Sequence, residues 1–104
     1  CAHHEDRESA IKDSLETARV AIDNAHAAHV EDYAAPKLRE AEATYKKAAN
    51  AGDVQSTRDL ALEAAAQADL ASADARDIRA QANKASVIRQ IQSLDRLSKP
   101  GGKP

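Results

Sequence analysis

The sequence has almost none of the residues that build a thick hydrophobic core. Its 104 residues include no Phe, Trp or Met, and its two aromatic residues are Tyr33 and Tyr45. Ala occupies 25 positions, and Leu, Ile and Val together occupy 16. Burying a large apolar side chain contributes about 1.5–3 kcal/mol, and burying Ala contributes much less. We therefore expect helices whose backbones lie close together, because β-branched and aromatic residues are too few for a sheet.

Several functional classes are also disfavoured by what the chain lacks. Its 15 basic and 17 acidic residues are interspersed and give a net charge of −2, whereas a nucleic-acid-binding protein shows a basic stripe. No run of 18 apolar residues exists, so no transmembrane helix is predicted. The one pair of adjacent glycines, at 101–102, follows the last helical pattern, and no serine lies in a strand-to-helix elbow. We predict a protein that is not an enzyme and needs no cofactor.

Helical periodicity runs through most of the chain, and Ala is the residue that most favours helix. The first predicted helix covers about 6–29, and its apolar residues follow spacings of 4, 3, 4 and 3: Ile11, Leu15, Ala18, Ile22 and Ala25. The second covers about 36–50, because Pro36 disfavours helix at the residue before it and fits a first helical turn. Gly52 is suited to the left-handed position after a helix, and Asp53 to the N-cap of the third.

The third predicted helix, 54–98, carries the strongest pattern. Apolar residues, all but one of them Ala, repeat at alternating spacings of 3 and 4 from residue 61 to residue 85: Ala61, Ala64, Ala68, Ala71, Ala75, Ile78, Ala82 and Ala85. A seven-residue repeat predicts a coiled-coil-like contact along one side of the helix. The fold class predicted is all-α, an antiparallel three-helix bundle with a long, alanine-rich third helix. One domain, 6–98, is expected between a tether at 1–5 and a disordered tail at 99–104.

Residues 87–97 are amphipathic and extend past the expected ends of the other two helices. This segment is suited to pairing with a second protein or a second copy, to folding back on its own bundle, or to lying on a membrane. The two tyrosines are interpreted as filling gaps beside small alanines, with a ligand groove as the alternative. The candidate partner surface consists of Tyr33, Leu38, Tyr45, Val87, Ile88, Ile91 and Leu94.

Four histidines raise the question of a metal site. His3 and His4 are adjacent, and His26 and His29 lie near the predicted end of the first helix, where a cation interacts favourably with the helix dipole. A mobile tether explains His3 and His4, and a helix end explains His26 and His29. Neither explanation requires a bound metal ion. We predict no metal site, with a histidine-based Zn²⁺ or Cu²⁺ site as an alternative.

The single cysteine is the first residue of the sequence. We interpret Cys1 as the lipidated cysteine of a processed lipoprotein, with a cloning boundary or an engineered thiol as the alternative. A lipid chain contributes about 0.8 kcal/mol per buried CH₂ group. Residue 2 is Ala rather than the Asp that favours inner-membrane retention in enterobacterial lipoproteins, so the periplasmic face of the outer membrane is the expected location.

Residues 33–41, YAAPKLREA, resemble the tyrosine–alanine–proline–x–leucine–x–x–alanine signature of an alanine-rich helical domain family of bacterial envelope lipoproteins. The resemblance covers about 7–85, and some members of that family precede an OmpA-like domain. The chain departs from the pattern by one extra Ala between Tyr33 and Pro36 and by Thr57 in place of Ala. The function of the family is unknown, so the resemblance implies a helical fold and an envelope location.

Together these observations predict a lipid-anchored, non-enzymatic structural or interaction module of the bacterial cell envelope. Its expected partners are a membrane, through Cys1, and another protein or a second copy, with no nucleic acid. The alternatives are a module that captures a peptide, glycan or lipid between its helices, and the histidine-based metal-binding protein described above.

Overall fold

The computed structural model describes residues 2–98, with side chains from Asp6 onward. Three helices make up this part of the chain: α1 (Ala2–Ala27), α2 (Glu31–Ala49) and α3 (Val54–Ser98). The predicted all-α bundle with a long third helix is therefore confirmed. α1 begins at Ala2 rather than near Asp6, and α3 runs unbroken from Val54 to Ser98, so residues 87–97 do not fold back on the bundle. The expectations for Cys1, for the side chains of His3 and His4 and for the tail at 99–104 lie outside the described residues.

The connection between α1 and α2 begins earlier than predicted, because α1 ends in a left-handed cap. His29 has a φ of 57°. The N–H of His29 donates to His26 O, and the N–H of Val30 donates to Ala25 O, both at 3.0 Å. These two bonds form a Schellman motif, which satisfies carbonyls that the helix end would leave unpaired. Val30, 1% exposed, then packs in the same core cluster as Ala25 and fixes the direction of the chain.

α2 contains a bend that reflects the proline identified in the sequence. Its helical assignment begins at Glu31, but Ala34 has non-helical angles of φ −137° and ψ 45°. The N–H of Ala34 still donates to Val30 O at 2.7 Å, so residues 30–34 form one separate helical turn. The regular helix follows this bend, with Pro36 in its first turn, where a missing N–H costs nothing.

The turn between α2 and α3 reverses the chain within a few residues. Asn50 caps α2, and Gly52 has a φ of 86° two residues after that cap, rather than directly after it as predicted. Asp53 caps α3, because its Oδ2 accepts a hydrogen bond from the N–H of Ser56 at 2.9 Å. This bond to the Ser56 N–H also holds the pKa of Asp53 below its ordinary value.

Gly52→Ala should lower the free energy of unfolding by about 1 kcal/mol. A Cβ at this position would meet nothing within 4 Å, so only the positive φ resists the substitution. Gly52→Asn is the matched control, because Asn tolerates positive φ and should lose clearly less. Urea denaturation of the three proteins measures the difference, and equal losses for Ala and Asn would contradict this explanation.

The core consists mostly of methyl groups where the three helices meet. Ala18 clusters with Ala61 and Ala64, and Ala25 clusters with Ala71 and Ala75, so α1 runs parallel to α3. α2 runs antiparallel to both, and its interface with α3 is the largest of the three. Leu38, 2% exposed, is the largest side chain buried almost completely. The close approach of alanine backbones replaces the missing bulky interior, as the composition predicts.

The small-residue pattern of α3 continues beyond the bundle. Ala61, Ala64, Ala68, Ala71 and Ala75 are buried, but Ile78 is 41% exposed and the rest of the pattern is exposed. The expectation that Ala82 and Ala85 lie in the same packed contact is therefore wrong. The pattern is helical throughout, but α1 and α2 do not reach these residues.

Among the helices described, none is long and apolar enough to span a bilayer.

Candidate functional site

The end of the bundle is marked by Arg79 on α3. Its Nη2 donates to Ala28 O at 3.2 Å, and its guanidinium lies 5.3 Å from the centre of the Tyr33 ring. Cation–π contacts of this kind are worth about 0.5–1 kcal/mol at exposed sites. Arg79 thus joins α3 to the α1–α2 connection, and α3 continues from this point without α1 or α2 beside it.

We name residues 80–98 the arm. Every residue of the arm is exposed except Ser86, which is half-buried. At 1.5 Å per residue the whole of α3 is about 67 Å long, and the arm accounts for about 28 Å of it. Five large apolar side chains of the arm are between 44% and 81% exposed: Val87, Ile88, Ile91, Leu94 and Leu97.

Four of the five large apolar side chains of the arm do not point in the direction of the bundle contact, and the exception, Leu97, lies about 40° around the helix from Ala75. At 3.6 residues per turn, Val87, Ile91 and Leu94 lie about 100–160° around the helix from Ala75, which faces α1 and α2. Extending α1 or α2 would therefore leave most of this apolar face uncovered. Arg89 and Arg96 occupy the opposite side of the arm, so the arm is amphipathic about an axis of its own.

Seven residues were predicted as a partner surface. Four of them lie on the apolar side of the arm: Val87, Ile88, Ile91 and Leu94. Leu38 was assigned wrongly, because it is 2% exposed and packs inside the bundle. Tyr33 lies on the surface at the bundle end, 38% exposed, and Tyr45 is half-buried against both core clusters. The two tyrosines are about 18 Å apart along α2, so they do not line one groove with Leu38.

Tyr45 does border a shallow cavity of about 280 Å³ between α1 and α2. His26 and Glu42 also line it, and their Nε2 and Oε2 atoms are 3.0 Å apart. Nδ1 of His26 lies 3.4 Å from Glu31 Oε2. The side-chain hydrogen bond to Glu42 is the main cause that raises the pKa of His26 above its ordinary value, and the charge of Glu31 adds to it.

The structure places His26 in a contact between α1 and α2, rather than in a metal site. Its two nitrogens face carboxylates of α2 rather than a second histidine, and His29 lies outside α1 in the left-handed cap. Among the residues that the structure describes, no group of three or more His, Cys, Asp and Glu side chains is arranged to hold a metal ion. The cluster is a salt-bridge contact between α1 and α2 that depends on the protonation of His26.

This contact predicts a pH dependence of stability. Because the pKa of His26 is raised on folding, its contribution is complete below the ordinary histidine pKa of about 6.5 and disappears as pH rises through the raised value. The ring is 44% exposed, so the contribution should stay below about 1 kcal/mol. The difference in unfolding free energy between the native chain and His26→Gln should therefore be larger near pH 6 than near pH 8.5.

Glu42→Gln provides the control for this pH dependence. In the Glu42→Gln background, His26→Gln should have a clearly smaller effect at the lower pH, because the two residues share one interaction. Urea denaturation of the four proteins at both pH values gives their free energies of unfolding. A His26→Gln effect that grows as pH rises would contradict the assignment.

The bundle also carries surface ion pairs with no evident functional role. Lys37 on α2 pairs with Asp74 on α3. On α1, Arg19 Nη2 lies 2.6 Å from Glu16 Oε1, and this pairing lowers the pKa of Glu16 and raises that of Arg19. Exposed pairs of this kind contribute little to stability, so the exposed apolar face of the arm remains the candidate functional site.

The chain was compared with models of known protein families, with curated proteins and with solved structures. None of them matches. The similarity of residues 33–41 to envelope lipoprotein domains therefore stays a prediction, as does the lipid on Cys1. Intact-mass measurement of the protein isolated from its native host tests the latter. Acylation predicts added mass that maps to the Cys1 peptide, and an unmodified Cys1 would contradict it.

Proposed function

We propose that this chain is a non-enzymatic structural and interaction module that presents the arm to another protein. The observation that carries the proposal is the exposure of five large apolar side chains along residues 87–97, between 44% and 81% each. Burial of each such side chain is worth about 1.5–3 kcal/mol. A helix that displays them on one side gains stability when a partner covers them.

The bundle supplies the rigid part of the module. In α3 the alanines from Ala61 to Ala75 are held against α1 and α2, and the arm continues the same uninterrupted helix. The direction of the arm is therefore fixed by the bundle instead of by a flexible linker. Such a rod can hold a docking surface at a distance of several nanometres from the opposite end of the bundle.

Helix-to-helix docking is the recognition mode that fits this surface. An amphipathic helix binds through apolar residues at i, i+3, i+4 and i+7, which it inserts between side chains of a groove or a second helix. Val87, Ile91 and Leu94 have this spacing. The resemblance to envelope lipoprotein domains supports the bacterial cell envelope as the place where the module acts.

Site-specific photo-crosslinking tests the proposal directly. A photo-reactive amino acid at Ile91, on the apolar side of the arm, should give discrete protein adducts in cells that produce the full chain. The same amino acid at Ser93, on the polar side, is the matched control and should give clearly fewer adducts. Equal or absent crosslinking at the two positions would contradict protein docking through the arm, whatever the partner.

A further inference from the structure

We propose that the partner of the arm is the arm of a second copy of this chain, packed head to tail with it around a two-fold axis near Ile88. This inference rests on the proposed function and adds the identity and direction of the partner. It follows from two properties of the arm, namely the register of its apolar residues and the positions of its charges.

The register of the arm is that of a two-stranded coiled coil. Six residues are spaced 4, 3, 4, 3 and 4 along it: Ala80, Lys84, Val87, Ile91, Leu94 and Ser98. Positions with this spacing form the contact line between two supercoiled helices. When the helices run head to tail, Val87 of each copy lies opposite Ile91 of the other. Ile88, beside this line, then meets Ile88 of the second copy on the axis, which completes one continuous apolar cluster.

The charges of the arm favour the head-to-tail direction. Lys84 lies on the contact line near one end of the arm, and Asp95 lies beside that line near the other end. Head-to-tail packing brings Lys84 of each copy next to Asp95 of the other. Parallel packing instead places the two Lys84 side chains opposite each other, where like charges repel. The Lys84 stem also covers Leu94 of the second copy while its ammonium remains in water.

A bilayer is the competing occupant, because helices that lie on a membrane carry Lys and Arg on their polar side. Arg89 and Arg96 are on the side farthest from Val87 and Ile91, as in such helices. Asp95, however, lies beside the apolar contact line, where an anionic bilayer surface repels it and Lys84 of a second copy attracts it. The charges beside the contact line therefore favour a second copy over a membrane.

Self-association is measured first, with the full chain. Sedimentation equilibrium over a concentration series should show a reversible transition from the 11.1 kDa monomer to a dimer. Ile88→Asp combined with Ile91→Asp should weaken the dimer at least about tenfold, because each copy buries two new carboxylates. Gln92→Asp combined with Ser93→Asp adds the same charge on the polar side and should change it much less. Circular dichroism checks that all variants keep the helical bundle.

The direction of packing is measured by zero-length carbodiimide crosslinking of Lys84 to Asp95. The two residues are about 16 Å apart along one helix, so a bond between them must join two copies. A dimer mixed from ¹⁵N-labelled and unlabelled chains should give a mixed-isotope Lys84–Asp95 peptide. Lys84→Asp and Asp95→Lys should each weaken the dimer, and the double exchange should restore it.

The outcomes separate this inference from the proposed function. A chain that stays monomeric at every concentration overturns self-pairing, while Ile91 adducts with a different protein would still support docking through the arm. A dimer without the Lys84–Asp95 bond, or without rescue by the double exchange, overturns the head-to-tail direction. Binding to phosphatidylserine vesicles without dimer formation would overturn self-pairing and make the membrane the occupant.

Discussion

Leu38→Ala is expected to lower the free energy of unfolding by about 2–5 kcal/mol. Leu38 is 2% exposed and belongs to the core cluster that also contains Ile22 and Val30. Its neighbours in that cluster are mostly alanines, which cannot rotate to fill the space that a lost isobutyl group leaves. The loss combines the missing burial with a persistent cavity, and it is large against a typical total stability of about 5–15 kcal/mol.

Urea denaturation followed by circular dichroism at 222 nm measures this loss. Leu62→Ala is the matched control, because Leu62 is 60% exposed on α3 and loses little contact on truncation. It should stay within about 0.5 kcal/mol of the unmodified chain. A Leu38→Ala protein as stable as the Leu62→Ala protein would mean that Leu38 is not the central side chain of the core.

Ala68→Leu is expected to destabilise the chain although it adds apolar volume. Ala68 is completely buried in α3, in the cluster that includes Ala41 of α2 and Ala25 of α1. A larger side chain there must push helices apart, which costs about 1–3 kcal/mol in a well-packed core and occasionally more. For a domain of this size, that corresponds to a fall in Tm of roughly 5–20 °C.

Ala73→Leu is the control that separates the effect on helix packing from the effect on helix propensity. Ala73 is exposed on α3, so Ala73→Leu changes helix propensity as Ala68→Leu does but meets no neighbouring helix. Thermal unfolding should show Ala73→Leu close to the unmodified chain and Ala68→Leu well below it. A rise in Tm for Ala68→Leu would show that the helices have room between them, contrary to close packing through methyl groups.

These two predictions bear on why the chain lacks large apolar residues. In an interface built from methyl groups, helix backbones approach closely. Replacing a buried side chain by a smaller or a larger one therefore destabilises the packing. Leu38, Ile22 and Val30 are the large apolar side chains buried in this interface, and most of the other buried residues are alanines. Five of the 16 Leu, Ile and Val residues lie on the arm, where no other helix of the described chain covers them.

Much of the fold follows from the sequence because its patterns are local. Alanine content, the spacings of 3 and 4 and the Asn50–Asp53 turn predict three helices, and residues 2–98 form three. The end of α1 was harder to predict, because His29 adopts a left-handed conformation that few residues other than Gly adopt, although His does so more often than most. The other sequence signal is Val30, an apolar residue placed to contact Ala25 after such a cap.

The candidate site was predicted only in part. The exposed positions Val87, Ile88, Ile91 and Leu94 were identified because they break the alanine pattern. Leu38 was grouped with them incorrectly, since a large apolar residue on an amphipathic helix looks the same in sequence whether it is buried or presented to a partner. The His26 contact with Glu31 and Glu42 was missed, because it joins residues of different helices.

By itself, the sequence determined the helical class and the number of helices in the described residues, because both depend on residues close together in the chain. Only the structure decided that α3 runs unbroken to Ser98, where the bundle stops, which apolar residues are covered and which side of the arm stays exposed. The physical reason is that a repeat of 3 and 4 places residues on one side of a helix, but burial requires a second helix opposite them. For Ala75 that helix exists, and for Ile91 no part of the described chain supplies it.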